Sequence, residues 1–336
     1  MTYKQDDLLK ETLDKFSIIA NKVIHSYSNL SEANIQLLDY SENATFLVQH
    51  EALGEKYILR VNRPNYHTKA EIESELAWLC SLDKYSPIQV SLPILDDSGS
   101  FIQTSEWKGE IYYSTLFTFL EGNSPNENNE SGLIKQFEAL GEITAKFHDY
   151  SIAQHDVFHT FNRMTWDYET ILGNTPKWGK WQDGLAITSE RAELFQRVSN
   201  TIKNRLERYG KAPDRFGLIH SDLRLANLIV EDEQIKVIDF DDCGFGWYMY
   251  DLATSLSFIE HKQYVPDLIE SWLKGYRKVR PITFEEVDEL PTFIMMRRLQ
   301  LISWIGSRDN DTTRSLGSGY TIETDLLAKD YLEKYE

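Results

Sequence analysis

The segment from Phe216 to Asp251, FGLIHSDLRLANLIVEDEQIKVIDFDDCGFGWYMYD, constrains this chain more than any other. It opens on an apolar run, Gly217-Leu218-Ile219, and passes through polar His220, Ser221 and Asp222. Asn227 comes next, then the triplet Leu228-Ile229-Val230, an acidic turn from Glu231 to Gln234, and a β-prone run from Ile235 to Ile238 that delivers Asp239. Two apolar runs around a short polar loop read as a β-hairpin. With the loop centred near Asp232 or Glu233, Asn227 and Asp239 lie opposite each other to within one residue of register. Directly paired residues have Cα atoms about 4.5–5.5 Å apart. An amide oxygen and a carboxylate therefore meet at one end of the hairpin, with Asp222 just upstream. Such oxygen ligands suit Mg²⁺, which prefers one or two carboxylates plus phosphate oxygens to an all-protein cage.

The pattern His220-x-Asp222-x4-Asn227, then a strand ending in Asp239, resembles the catalytic and metal-binding segments of kinases. Its continuation, Asp239-Phe240-Asp241-Asp242 and later Tyr250-Asp251-Leu252-Ala253, resembles more specifically the aminoglycoside phosphotransferase and choline kinase-like superfamily, which includes homoserine kinases of the second type. The resemblance implies an α+β, bilobal protein-kinase-like fold. A small antiparallel-sheet lobe is expected over residues 1–119 and a larger, mainly helical lobe over 120–336. It also implies ATP and Mg²⁺ as cofactors and a small-molecule hydroxyl acceptor: an amino alcohol, a hydroxy amino acid, a sugar or an aminoglycoside. On this pattern Asp222 is the expected base, Asn227 and Asp239 are the expected metal ligands, and His220 and Asp251 brace the loop between them.

The first third of the chain supplies the other half of the constellation. Helical spacing of Leu8, Leu9, Leu13, Phe16, Ile19, Ala20 and Val23 predicts a first helix from Asp6 to Val23. Strands are expected at Asn34–Tyr40, Ala44–His50 and Lys56–Asn62, and a helix from Thr68 to Leu82. By resemblance, Ser41-Glu42-Asn43-Ala44 covers the nucleotide phosphates, although it lacks the Gly-x-Gly-x-x-Gly of protein kinases. Tyr57-Ile58-Leu59-Arg60-Val61 resembles the family's strand that presents a cation to the α- and β-phosphates, which implies that role for Arg60, and a guanidinium can grip phosphate oxygens in pairs. Glu75 is its expected partner, with Glu71 one turn earlier as the alternative. Strands at Phe101–Thr104 and Glu110–Phe119 lead to Phe117-Thr118-Phe119-Leu120-Glu121-Gly122, which resembles the family's connector between lobes and so implies the Thr118 carbonyl and the Leu120 amide against adenine.

Later segments are mostly helical, at 133–148, 189–209, 250–259, 265–277, 284–289, 292–305 and 322–335. His148, His155 and His159 lack compact metal-ligand spacing, so the stretch from 148 to 189 reads as packing and loop, with its tryptophans as possible walls for an acceptor. Arg297, Arg298 and Trp304 are further candidates to face the acceptor, although a helical arginine pair is more often structural. Arg224 departs from the Asp-x-His-Pro-x-Asn of many small-molecule members. It is expected either to stabilise the transferring phosphoryl group or to pair with Asp241 or Asp242.

Charge narrows the partners. With 35 basic and 53 acidic residues the net charge is −18, which argues against nucleic acid and against a polybasic membrane contact. An acidic surface would suit a cationic acceptor. Two cysteines, Cys80 and Cys243, are too few for a disulfide framework. The acidic opening and the lack of any apolar run near the ~18 residues that span a bilayer favour the cytoplasm. Oligomeric state is not read from the sequence. Two other functions fit part of the pattern. A serine/threonine protein kinase shares the motifs, but only eleven residues separate Asp239 from Asp251 and no Ala-Pro-Glu element follows. An inactive nucleotide-binding regulator would have lost Asp222, Asn227 or Asp239, and all three are present.

Overall fold

The computed structural model describes residues 2–40, 43–85 and 88–336, and the chain divides into two compact units, Met1–Glu121 and Gly122–Glu336. The first unit runs α1 (Thr2–Ile24), β1 (Asn34–Tyr40), β2 (Ala44–His50), β3 (Glu55–Val61), α2 (Lys69–Tyr85), β4 (Pro93–Ile94), β5 (Gln103–Trp107) and β6 (Glu110–Thr118). Its six strands form one antiparallel sheet in the order β1-β2-β3-β6-β4, with β5 also on β6. On β2 the burial alternates, Ala44, Phe46 and Val48 inward, which is the period-2 signature of a half-buried strand. Phe16, Ile19, Ala20 and Val23 of α1 pack in one buried cluster with these residues and with Leu59, Val61, Tyr112 and Leu116. From Phe16 to Val23 the stripe read from the sequence is therefore the core-facing stripe of α1; the side chains of Leu8 and Leu9 lie outside the described residues.

The second unit runs α3 (Glu130–Ala153), α4 (His155–Phe158), β7 (Thr165–Trp166), α5 (Tyr168–Ile171), α6 (Ser189–Tyr209), β8 (Phe216–Ile219), β9 (Leu228–Glu231), β10 (Gln234–Val237), β11 (Gly244–Trp247), α7 (Tyr250–Ser255), α8 (Val265–Tyr276), α9 (Phe284–Asp288), α10 (Leu290–Ser307) and α11 (Asp311–Tyr335). Helices α3 and α8 approach at backbone distance. A Cβ on Gly141 would lie 2.0 Å from the Trp272 carbonyl oxygen, and one on Gly275 would lie 1.8 Å from that of Glu138. The two glycines are what let this pair close.

Two small sheets carry the catalytic-type segment. Strands β9 and β10 form the expected hairpin, with Glu231 opposite Gln234 and Leu228 opposite Val237. Asp232 and Glu233 both have positive φ, 46° and 68°, as a two-residue turn of the mirror-image type requires. A second sheet, β7-β11-β8, places β11 antiparallel to β8 and parallel to β7. Neither β7 nor β11 was evident from residue pattern, because each is short and Gly244 and Gly246 interrupt the apolar run.

Other expected boundaries shift for physical reasons. Pro291 does not separate two helices but sits in the first turn of α10, where its missing N–H has no intrahelical partner to lose. The last helix begins at Asp311 and bends at Gly317, which has φ 50° and ψ −144°. The helix expected from 250 to 259 stops at Ser255, and Phe258 takes φ 74°. Among the described residues no helix is long and apolar enough to cross a membrane.

Candidate active site

In the second unit, β8 ends at Ile219 and the chain turns through Ser221 with φ 63°. Left-handed backbone at a residue with a Cβ is uncommon and needs a surrounding frame to hold it. That frame is Asp251, which is fully buried. Its carboxylate accepts from the backbone N–H of Ser221 at 2.6 Å and of His220 at 3.2 Å. It also accepts from His148 Nε2 at 3.1 Å, while His148 Nδ1 lies 2.9 Å from the Tyr276 hydroxyl. Burial lowers the His148 pKa from the ordinary imidazole range, against a smaller opposing pull from Asp251. The ring is therefore neutral near pH 7 and donates through Nε2.

His220 plays a similar part inside the loop. Its Nδ1 faces the Asp222 N–H at 3.3 Å and its Nε2 faces the Ile238 carbonyl at 3.1 Å, with the ring against Phe240. Both nitrogens are committed to the backbone, one accepting and one donating, so the ring ties the loop to the hairpin and has no lone pair to offer as a base. The segment after Asp239 is held as firmly by its carbonyls. Arg163 donates to Asp241 and, at 2.6 Å, to Cys243, while Trp166 Nε1 and the Ser221 hydroxyl both reach Asp242.

Asp222 projects from this frame and is almost fully buried. Arg297 Nη2 donates to its Oδ1. Its Oδ2 accepts from Asn227 Nδ2 at 2.8 Å and from Arg224 Nε at 3.2 Å. Burial alone would raise the pKa of this carboxyl, but the guanidiniums of Arg297 and Arg224 outweigh it and leave the pKa below the usual range. Asp222 is an ionised carboxylate at neutral pH. The expected alternative for Arg224 is corrected here: its guanidinium pairs with Asp222, two residues back, and not with Asp241 or Asp242.

Asn227 directs Nδ2 to Asp222, to the side chain and, at 2.9 Å, to the carbonyl as well. Its Oδ1 accepts no hydrogen bond among the described residues. The Ile238 N–H donates to the Asn227 carbonyl at 3.0 Å, so Asp239 lies one residue past the position opposite Asn227. Asp239 has φ 62° and an exposed side chain. An uncommitted amide oxygen beside an exposed carboxylate is a donor set that fits a hard divalent cation keeping waters and phosphate oxygens. Groups of three or more His, Cys, Asp or Glu able to hold a metal are absent among the described residues.

In the first unit, Arg60 of β3 and Glu75 of α2 form a two-pronged pair, Nη1 to Oε1 at 2.9 Å and Nη2 to Oε2 at 2.7 Å, with both side chains buried. Glu71 is not the partner seen, because its carboxylate caps α2 through the Thr68 N–H and hydroxyl. Phe117 lies under the Arg60 guanidinium at 5.0 Å. Asn43 is buried and accepts from the Arg63 N–H at 3.2 Å; Ser41 and Glu42, expected with it over phosphates, lie outside the described residues. The Thr118 carbonyl already accepts from the Ser91 hydroxyl at 2.6 Å, which takes one of its two lone pairs. The Leu120 N–H, just past the end of β6, donates to no group among the described residues.

Residue pattern pointed to Arg297 only as one of several acceptor-facing candidates and missed Arg163 and the role of His148. A signal for Arg297 was available. Helix α10 is apolar all round, so it is buried, and a buried guanidinium requires a carboxylate partner. Arg298 meets that requirement elsewhere, on Glu260 at 2.8 Å.

Known proteins are similar to this chain in sequence and fold. A family model described as "Phosphotransferase enzyme family" matches residues 35–282. A solved microcompartment-associated aminopropanol kinase is 37% identical, with TM-score 0.85 over 95% of this chain and 98% of that one. The amicoumacin kinase of Bacillus subtilis (strain 168) is 22% identical over 295 residues, 83% of this chain and 84% of that protein. A solved amicoumacin kinase, in complex with AMP-PNP, Ca²⁺ and Ami, is 21% identical with TM-score 0.71, over 89% and 88% of the two chains.

Proposed function

Because this chain belongs to the phosphotransferase enzyme family and is a kinase of bilobal, protein-kinase-like fold, we propose that it moves the γ-phosphate of ATP to the hydroxyl of a small amino alcohol. The observation that carries the reading is Asp222: a carboxylate kept ionised by two guanidiniums, hydrogen-bonded to an asparagine whose own oxygen is uncommitted. The relative that is 37% identical acts, by its name, on aminopropanol, and a chain of net charge −18 favours approach of a cationic acceptor over an anionic one.

Phosphoryl transfer needs positioning and charge neutralisation more than covalent work by the protein. Asp222 accepts a hydrogen bond from the acceptor hydroxyl, orients its oxygen toward the γ-phosphorus and takes the proton as the new O–P bond forms. The products are a phosphate monoester and ADP. Asn227 Oδ1 and Asp239 would hold the divalent cation, Mg²⁺ in the cell, which screens the β- and γ-phosphate charge when bound. Arg60, aligned by Glu75, would grip α- and β-phosphate oxygens, and the Asn43 segment would cover them. The Leu120 N–H and the second lone pair of the Thr118 carbonyl would meet the adenine edge. Arg224 would turn from Asp222 to the transferring phosphoryl group. His220 and Asp251 keep the loop in shape and touch no substrate.

The test is ADP release from Mg·ATP with a panel of 1-amino-2-propanol, ethanolamine, homoserine, a hexose and an aminoglycoside. Turnover is expected with the amino alcohols, with phosphate on the hydroxyl oxygen. An Asp222→Asn variant should lose about 10³-fold or more in kcat, the upper part of the range for a positioned base. Nucleotide binding without ADP release from any acceptor, or turnover undiminished in Asp222→Asn, refutes the reading.

A further inference from the structure

Asp222 is gripped by two arginines that are anchored very differently. Arg297 is 2% exposed and each of its three nitrogens has its own partner: Nη2 on Asp222 Oδ1, Nε on the Ser257 hydroxyl at 3.0 Å, and Nη1 on Gln300 Oε1 at 3.2 Å. Trp178 closes one face of the guanidinium, 5.0 Å from ring centroid to Cζ. Gln300 is itself fixed by the hydroxyl of Tyr250. Arg224, in contrast, is 27% exposed and its guanidinium has Asp222 as its one partner among the described residues.

We propose that Arg297 is a positioning residue for the phosphoryl-transfer step: it pins Oδ1 of Asp222 to a rigid frame so that Oδ2 keeps one fixed heading, and Arg224 is the exchangeable partner whose place on Oδ2 the acceptor hydroxyl takes. The inference rests on the reading of Asp222 as the base. Each carboxylate oxygen offers two acceptor sites. On Oδ2 the buried Asn227 fills one and Arg224 fills the other. Exchange of Arg224 for a hydroxyl leaves Arg297 and Asn227 in place, so the carboxylate plane does not turn while the substrate arrives. Without Arg297 the carboxylate keeps only the donors on Oδ2 and rotates about them. A misplacement on the order of 1 Å at a reacting group is enough to lower a rate about 10²-fold.

The neighbouring Arg298 sharpens the assignment. It is as buried as Arg297, but it faces Glu260, Thr324 and Tyr320, away from Asp222. Two adjacent arginines on one helix thus face different carboxylates, and only one of those carboxylates belongs to the proposed site.

The experiment compares Arg297→Lys and Arg297→Ala with the parent, using Mg·ATP and 1-amino-2-propanol, and measures kcat and KM for each substrate. Lysine keeps the charge beside Asp222 but cannot reach Ser257, Gln300 and Asp222 at once, because it lacks the planar fork. Arg297→Lys should lose roughly tenfold or more in kcat with KM for ATP within about threefold, and Arg297→Ala about 100-fold. Free guanidinium ion should restore at least part of the Arg297→Ala kcat and none in Asp222→Asn. A merely structural arginine would give neither a kcat-only loss nor such a rescue. Should Arg297→Ala fail to fold, Arg297→Lys alone decides. If Asp222→Asn is inactive while Arg297→Lys turns over like the parent, or loses KM and not kcat, the positioning role is overturned and the base stands. If Asp222→Asn turns over normally, the underlying reading falls instead.

Discussion

Replacing Arg298 by methionine should cost stability and leave turnover alone, and the size of the loss follows from its contacts. Its guanidinium donates through Nη1 to Glu260 Oε2, through Nε to the Thr324 hydroxyl and through Nη2 to the Tyr320 carbonyl, each at 2.8 Å. It also lies 3.5 Å over the Tyr320 ring. Neither Arg298 nor Glu260 has any exposed side-chain surface. Methionine fills much of the volume but strands the Glu260 carboxylate, whose other partner is the Tyr320 hydroxyl at 2.8 Å. Burial first, and the Glu260 charge second, push that hydroxyl well above its usual pKa, so it stays a donor but brings no positive charge. Removing one member of a buried pair costs about 3–5 kcal/mol. For a unit of this size that lowers Tm by roughly 2–4 °C per kcal/mol, or about 6–20 °C in all. Urea unfolding followed by tryptophan fluorescence gives the loss directly. Pairing Arg298→Met with Glu260→Gln removes the stranded charge, so the double variant should recover about 2 kcal/mol relative to the sum of the singles. A loss below about 1 kcal/mol in Arg298→Met would refute the reasoning, since a buried carboxylate would then be tolerating solitude. So would a drop in kcat of the folded variant beyond about twofold, because Arg298 makes no contact with Asp222.

Other expectations are narrower. Glu75→Gln puts an amide N–H against one arm of Arg60; KM for ATP should rise about tenfold or more and the melting temperature should fall, and unchanged ATP kinetics would remove Arg60 from the phosphate site. Gly275→Ala should destabilise by more than about 2 kcal/mol although alanine gains nearly 1 kcal/mol in helix propensity, because its Cβ has no room at the Glu138 carbonyl; a neutral or stabilising result by urea unfolding counts against the close α3–α8 approach. His148 is buried with its pKa lowered, so the unfolded chain binds a proton that the folded protein does not. Its contribution is complete above the unfolded value near pH 6.5 and is lost as pH falls below it, by up to about 1.4 kcal/mol per unit; His148→Gln should flatten that part of the stability profile between pH 7.5 and 5.5.

What the residues disclosed before any coordinates depended on how local the cause was. The hairpin was legible because its turn chemistry and its two apolar runs lie within eleven residues, Leu228 to Ile238, and their register needs no distant partner. Arg60 with Glu75 was legible through the family resemblance, which marks one position on the strand and one on the helix, and only the choice between Glu71 and Glu75 waited for geometry. The pairing of Arg297 with Asp222 bridges 75 positions, and that of His148 with Asp251 bridges 103. No local propensity encodes such distances. Strands β7 and β11 were missed for a related reason. They gain their ladder bonds from β8 and from each other, so tertiary pairing overrides the weak preference of a run interrupted by glycine.

A chain of net charge −18 must still welcome a nucleotide anion, and the contacts of the second unit resolve the apparent conflict. Arg297 and Arg224 set two positive charges against the single negative charge of Asp222, so this carboxylate is more than neutralised by its own partners before any ligand arrives. On the proposed reading, a divalent cation held by Asn227 and Asp239 would add positive charge here, which favours phosphate where the protein as a whole does not. The same reading gives a use for two arginines where one would neutralise Asp222. If Arg224 exchanges for the acceptor hydroxyl, Arg297 alone still keeps Asp222 ionised, and the displaced guanidinium remains beside the reacting phosphoryl group as added positive charge. On the proposed reading, global acidity would set which acceptors approach, and the local arginines would decide whether the phosphate can stay.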